Sequence, residues 1–175
     1  RYHDAGHLLG SAMAEIEVQV GSRPLRLLFS GDVGRYDAPL YHDPTPPPAC
    51  DYLICESTYG DRDHPAIPVL DQVCDVVHEA MRRGGVILVA SFAVGRAQQL
   101  IYLLQVLIHQ ERIPALPIYL DSPMAADASD IFRHYAEDHD LSEIELQKPE
   151  SAFRGRAVHL ARTTAESKRL NEVRG

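Results

Sequence analysis

Residues 51–60 run Asp51-Tyr52-Leu53-Ile54-Cys55-Glu56-Ser57-Thr58-Tyr59-Gly60, an apolar stretch that ends in an acid and a turn. From here onward short apolar runs alternate with segments of helical spacing. That is the sequence form of βαβ units, so the second half of the chain reads as α/β. Tyr52 to Cys55 and Val86 to Ala90 are expected as buried strands. Between them Leu70, Val73, Cys74, Val77 and Met81 recur at three- and four-residue spacing, which predicts a helix with one apolar face that Gly84-Gly85 ends. After Arg96 a second helix carries Leu100, Ile101, Leu104, Leu107 and Ile108, and Pro114 to Pro117 bracket the approach to a third strand, Ile118 to Leu120. Ser122 is placed to cap a third helix with Pro123 at its first position, where a missing N–H costs nothing; Thr163-x-x-Glu166 forms a capping box for a last one.

Toward the start the rhythm is different. Ile16, Val18 and Val20 alternate along one face, and Leu25, Leu27 and Phe29 resume the alternation after Gly21-Ser22-Arg23-Pro24, which predicts a hairpin. Ser30-Gly31-Asp32-Val33-Gly34 follows as a turn at a strand end. The passage containing Pro44, Pro46, Pro47 and Pro48 suits neither a helix nor a central strand and reads as a loop.

Composition narrows the function classes. With 45% hydrophobic residues over 175 positions the chain can bury a core in one or two domains. Its apolar runs are far shorter than the roughly 20 residues of a membrane helix and nothing resembles a signal peptide, so no membrane partner and a cytoplasmic location are expected. Three cysteines, Cys50, Cys55 and Cys74, lack C-x-x-C spacing and suggest reduced core residues rather than a disulfide framework or a thiolate metal site. The formal net charge is −8, with 17 basic against 25 acidic residues. Any grip on nucleic acid must therefore be local, and the basic residues other than Lys148 and Lys168 are arginines, the better type for bidentate phosphate contact.

Three segments carry chemistry. In Asp4-Ala5-Gly6-His7-Leu8-Leu9-Gly10-Ser11-Ala12 a histidine stands on a glycine-rich backbone just ahead of a strand, where an imidazole can be presented to a metal; alone, it reads more simply as a loop histidine with a satisfied hydrogen bond. Asp32 follows the strand Leu25 to Phe29 and can bridge hard cations, or can be an ordinary turn aspartate. Glu56 follows the apolar run at residue 55, a position where acids in α/β sheets are often functional and where a cap or surface turn is the plain alternative. Jointly, they put three metal- or proton-handling side chains at predicted strand ends. Ser91-Phe92-Ala93-Val94-Gly95-Arg96 joins the expected strand to the second helix, so its amides and the helix dipole suit phosphate and Arg96 adds a charged fork. The plain alternative is a glycine turn beside a structural salt bridge. Of the other histidines, His3 lies four residues from His7, but Gly6 opposes the helix that would pair them; His64 reads as a loop residue, and His78, His109, His134 and His139 as surface or boundary residues.

These segments, in this order and with the last continued through Ala97-Gln98, closely resemble the β-CASP branch of the metallo-β-lactamase superfamily, which includes the eukaryotic pre-mRNA 3′-end processing endonuclease and its bacterial and archaeal relatives. The resemblance spans Asp4 to about Pro123. It implies the rear part of an αββα metallo-β-lactamase fold over residues 1–60, followed over 61–175 by an incomplete Rossmann-like β-CASP domain with a mainly parallel sheet. His7 matches a ligand of one zinc and Asp32 the ligand that bridges two. Glu56 matches an acid that orients a later histidine, and Ser91, Gly95 and Arg96 fall on a turn that in the family lies beside the cleft between the two domains, which favours RNA phosphate as what the turn binds. The implied chemistry is attack on an RNA phosphodiester by a hydroxide that two zinc ions activate, by an endoribonuclease with or without 5′ to 3′ exonuclease action. RNA is the implied substrate, and a homodimer or a larger processing complex the implied assembly. A non-catalytic scaffold subunit and a DNA-directed relative are the alternatives. Since a catalytic zinc takes about three protein ligands plus water, His7 and Asp32 cannot fill two sites. The family's His-x-His-x-Asp-His cluster and its two later histidine motifs are not among these residues, His159 lying in the strand-like run Ala157 to Leu160. The 175 residues by themselves are thus expected to be inactive and to bind zinc poorly.

Overall fold

A computed structural model describes residues 1–63, 67–135, 138–139 and 157–173. It divides into two compact units, one of Arg1–Pro65 with Glu137–Asp140 and one of Ala66–Ala136 with Leu141–Gly175.

The first unit is built on a four-stranded sheet of β1 (Tyr2–Asp4), β2 (Ala12–Val20), β3 (Arg23–Phe29) and β4 (Tyr52–Ile54), in that order across the sheet. The predicted hairpin is present: β2 and β3 pair antiparallel from Ala14 opposite Phe29 to Val20 opposite Arg23. β1 is antiparallel to β2, and β4 is parallel to β3 with Leu27 opposite Tyr52 and Phe29 opposite Ile54. The Asp51 carboxylate fixes that last pairing by accepting from the Arg26 amide (2.9 Å) and the Arg23 guanidinium (3.2 Å). β1, β3 and β4 consequently run in the same direction and end at the same edge. The buried side of the sheet holds Met13 and Leu28 with Ala5, while the regular apolar alternation lies on the open side: Ile16, Val18, Val20 and Phe29 are all exposed, as are Tyr52 and Ile54 of β4. Period-two spacing fixes which residues share a face. It does not say which face the rest of the unit covers.

The second unit is α/β. α1 (Val69–Arg83) and α2 (Arg96–His109) pack through Cys74, Val77 and Leu107, joined by Ile113 and flanked by Leu70, Val73, Leu104 and Ile108; Met81 stays exposed at the helix end. Gly84 ends α1 at φ +71°, as its missing Cβ allows. β5 (Ile118–Asp121) and β6 (Val158–Ala161) form a parallel two-stranded sheet, with α3 (Pro123–His134) after β5 and α4 (Thr164–Leu170) after β6. Both predicted caps are made. The Ser122 hydroxyl accepts from the Ala125 amide at 3.2 Å, and the Thr163 hydroxyl and Glu166 carboxylate exchange bonds with each other's amides.

Four expectations fail. Tyr52 to Ile54 forms the expected strand but not a buried one, since among the described residues β4 pairs with β3 alone and stands at the edge of the sheet, with Tyr52, Leu53 and Ile54 all at least half exposed. Of the three cysteines read as core residues only Cys74 is buried; Cys50 is half-buried and Cys55, just past that edge strand, is exposed. Val86 to Ala90 forms no ladder, and Val86 to Val89 are exposed, Leu88 at 95%. An apolar run becomes a strand only where another strand offers it donors and acceptors, and among the described residues β5 pairs with β6 instead. His139, read as a boundary residue, is buried at 4% exposure. His64 lies outside the described residues.

Candidate metal-binding edge and phosphate-facing turn

The shared direction of β1, β3 and β4 brings the three chemical segments of the first unit to one sheet edge. His7 follows β1 as well as preceding β2, a strand too short for the sequence pattern to reveal. Its turn is closed from within: the Ser11 hydroxyl accepts from the amides of His7 (3.0 Å) and Leu8 (3.1 Å), and Asp4 accepts from the Gly6 amide at 2.8 Å. Gly6 sits at φ +62°, and a Cβ there would meet the Pro44 nitrogen at 2.6 Å.

The turn carrying Asp32 packs directly onto it. The Gly34 amide donates to the Ala5 carbonyl at 2.7 Å. A Cβ on Gly34 would overlap the Gly6 carbonyl, so only glycine lets the two backbones meet. As a result His7 Nε2 stands 3.9 Å from Asp32 Oδ2, with the imidazole about one-third exposed and the carboxylate open to solvent at 71%. This is ion-pair range and also the spacing of two side chains that converge on one ion.

Glu56 completes the edge from β4. Its Oε1 accepts from the Val33 amide at 2.8 Å, while its own amide donates to the Ser30 hydroxyl at 3.1 Å. The Val33 amide, then the Thr58 side chain, hold its carboxyl below the usual carboxylate range. Its job in this structure is local, since it is clamped to the residue next to Asp32 and orients that turn. His3, by contrast, is taken up by Glu15, with Nε2 2.8 Å from Oε2. Among the described residues no three of His, Cys, Asp and Glu gather closely enough to hold a metal ion, so His7 and Asp32 stand as a pair.

The turn before α2 differs from its sequence reading. The amides nearest the helix are taken: Gly95 N–H donates to Gln98 Oε1 (2.7 Å), Arg96 N–H to the Val94 carbonyl (3.1 Å) and Ala97 N–H to the Phe92 carbonyl (3.3 Å). With those bonds made, Gly95, itself buried, Arg96 and Ala97 have no N–H to offer an anion, so this part of the turn gives no backbone cradle. What faces solvent is side chain. Ser91 is exposed with its hydroxyl on the Phe92 carbonyl, and Arg96 is exposed with one guanidinium nitrogen on Gln99 Oε1 at 2.9 Å. Gln98, behind this turn, closes the run that carries the family resemblance but was given no role by sequence reasoning, and Ser129 was not singled out. The signal available was phase, since Gln98 lies three residues before the inward-facing Ile101.

Residues 97–175 match the Beta-Casp domain family. The chain is 34% identical to a ribonuclease of Thermus thermophilus over 99% of its own length and 39% of that protein's. It is 38% identical to endoribonuclease YSH1 of Mycosarcoma maydis over 77% of the chain and 15% of the relative. It is 36% identical to subunit 3 of the cleavage and polyadenylation specificity factor of Dictyostelium discoideum over 75% and 17%, respectively. The chain thus spans about two-fifths or less of the length of these relatives. With this domain match in its second unit, and an alignment to a ribonuclease that runs through the His7, Asp32 and Glu56 turns, the chain belongs to the β-CASP branch of the metallo-β-lactamase superfamily.

Proposed function

We propose that the chain is part of a metal-dependent RNA phosphodiester hydrolase, an endoribonuclease with or without 5′ to 3′ exonuclease action. In this reading residues 1–60 supply the rear of a metallo-β-lactamase αββα domain and residues 61–175 a Rossmann-like β-CASP domain. The observation that carries it is the convergence of His7 and Asp32 on two turns locked together through Gly6 and Gly34. The names of the Thermus and Mycosarcoma relatives, a ribonuclease and an endoribonuclease, support the substrate class.

An imidazole and a carboxylate fit zinc. His7 Nε2 and the Asp32 carboxylate would hold it, with the remaining ligands coming from outside the described residues. When bound, zinc supplies Lewis acidity that lowers the pKa of water and offsets phosphodiester charge. The chain's own residues do the rest. Ser11 keeps the His7 turn closed, and Glu56, through the Val33 amide, keeps Asp32 aimed at the same edge. Arg96 and Ser91 bind RNA phosphate through their side chains, with Gly95 shaping the turn that carries them. The Dictyostelium relative's designation as a subunit favours assembly into a larger processing complex over action alone, and a homodimer is the simpler alternative.

The deciding experiment measures metal content and RNA cleavage of the complete protein alongside its Asp32→Ala variant. Two zinc ions, with cleavage lost in the variant, are expected; a folded, metal-free, inactive complete protein would make this a scaffold subunit. RNA binding that survives Arg96→Ala and Ser91→Ala unchanged would remove the phosphate role from the second unit.

A further inference from the structure

We infer that Gln98 is a positioning residue that sets where Arg96 offers its charge to phosphate, an inference that rests on the phosphate reading of this turn. Gln98 is fully buried, at 0% exposure. A buried amide is costly unless its donors and acceptor are used, and here they are. Oε1 accepts from Gly95 N–H at 2.7 Å. Nε2 lies 3.2 Å from the Ala93 carbonyl, 3.0 Å from the Ala125 carbonyl and 3.0 Å from the Ser129 hydroxyl, which itself donates to Ala125 at 2.8 Å. One side chain thus reaches back over the turn that precedes its helix and across to α3.

The turn needs this hold. Gly95 has φ +82° and ψ −67°, and Arg96 N–H closes onto the Val94 carbonyl at 3.1 Å. That is the positive-φ form of the γ-turn, which glycine, having no Cβ, adopts without strain. The same freedom leaves glycine many other conformations, so this one is kept only where its surroundings select it. Gln98 does so by taking the N–H of Gly95 and the carbonyl of Ala93 together, and the next residue along the chain is Arg96. The direction in which the Arg96 side chain leaves the backbone is therefore set by an amide that itself never touches solvent.

Removing the amide separates this role from plain packing. Gln98→Leu and the unbranched Gln98→Met both fill the volume and release Gly95 and Ala93. Ser129→Ala leaves the Gly95 and Ala93 bonds in place and serves as the structural control. In the complete protein, affinity for a labelled single-stranded RNA is measured across a salt series, with thermal melting to confirm a folded protein at the assay temperature. Arg96→Ala is expected to reduce the slope of log affinity against log salt by about 0.7, the value of one phosphate contact on a single strand. Gln98→Leu, or Gln98→Met should the leucine variant fail to fold, is expected to reduce the slope by the same amount, with no further loss when Arg96→Ala is added; Ser129→Ala keeps the native slope. A folded Gln98 variant with a lower melting temperature and the native slope would overturn the inference, leaving Gln98 a structural amide. A native slope in Arg96→Ala would instead overturn the phosphate reading itself.

Discussion

A Cβ built on Gly34 falls 1.8 Å from the Gly6 carbonyl oxygen and 2.8 Å from the His7 amide nitrogen. Both neighbours are backbone, so neither can swing aside. Gly34→Ala is expected to cost at least the top of the roughly 1–3 kcal/mol range for overpacking, read as a lowered urea midpoint at unchanged slope. A loss under about 0.5 kcal/mol, the size of an ordinary surface change, would mean that the two turns do not meet. Glu56 lends itself to a paired test. Glu56→Gln keeps an oxygen for the Val33 amide and should leave folding nearly unchanged. Glu56→Ala strands that amide, at about 1–3 kcal/mol, and should weaken zinc binding by the complete protein about 10- to 100-fold, as losses of ligand-orienting groups do. Equal metal affinity in Glu56→Ala and the native protein would refute its role in orienting Asp32. His7, Asp32 and Glu56 were readable from sequence because each is a reactive type placed beside a strand or turn signal. Gln98 was not, because a glutamine near a helix start looks like a solvated one until the packing of α3 against it is known. The close approach at Gly34 was equally hidden, since it joins turns 28 residues apart along the chain.

At the scale of elements, the sequence patterns served best where a segment meets its own physical needs. α1 and α2 follow apolar spacing, α3 and α4 begin on the side-chain caps of Ser122 and Thr163, and α4 is the clearest instance of a cap. The Glu166 carboxyl is held below its usual range, first by the Arg162 amide and then by the Thr163 hydroxyl and amide. A carboxylate with a lowered folded value contributes stability above its unfolded value, near 4.3, and loses that contribution as pH falls through the lower folded value. The amides capped at the start of α4 should therefore stay protected from hydrogen exchange, corrected for intrinsic rate, from neutral pH down to about 5 and lose protection in the acid range below about 4. Glu166→Gln should flatten that dependence. The patterns failed where an element depends on a neighbour. Val86 to Ala90 has the composition of a central strand but no adjoining ladder, and the hairpin's alternation did not reveal which side is covered. Two substitutions measure that choice of side. Leu28→Ala should cost about 2–5 kcal/mol as a core truncation, whereas Ile16→Thr on the open side should stay near 0.5 kcal/mol. A cost above about 2 kcal/mol for Ile16→Thr would mean that this face is packed in solution.

Across the whole molecule the two units divide the proposed chemistry, His7 and Asp32, the proposed metal ligands, lying in one and Arg96, the proposed phosphate contact, in the other. Among the described residues the first unit buries Ala5, Met13 and Leu28 together, with Leu40 and Tyr41 also buried, and the second buries the cluster of α1 and α2. A net charge of −8 gives these 175 residues no long-range attraction for a polyanion, which leaves the proposed RNA contact to a few placed side chains and makes single substitutions such as Arg96→Ala informative. With only His7 and Asp32 converging among the described residues, the 175-residue chain alone is expected to leave RNA uncut; cleavage by the purified chain that disappears in Asp32→Ala would overturn this. The contact of Gly34 with Gly6 sets a further limit, on how such a site can change over evolutionary time. Main chain rests on main chain there, so mutation has no side chain to adjust and the platform can only be kept or lost. Divergence toward a different ion or substrate must pass through what the platform carries, by exchanging the donor at position 7 or 32 while the geometry beneath stays as inherited.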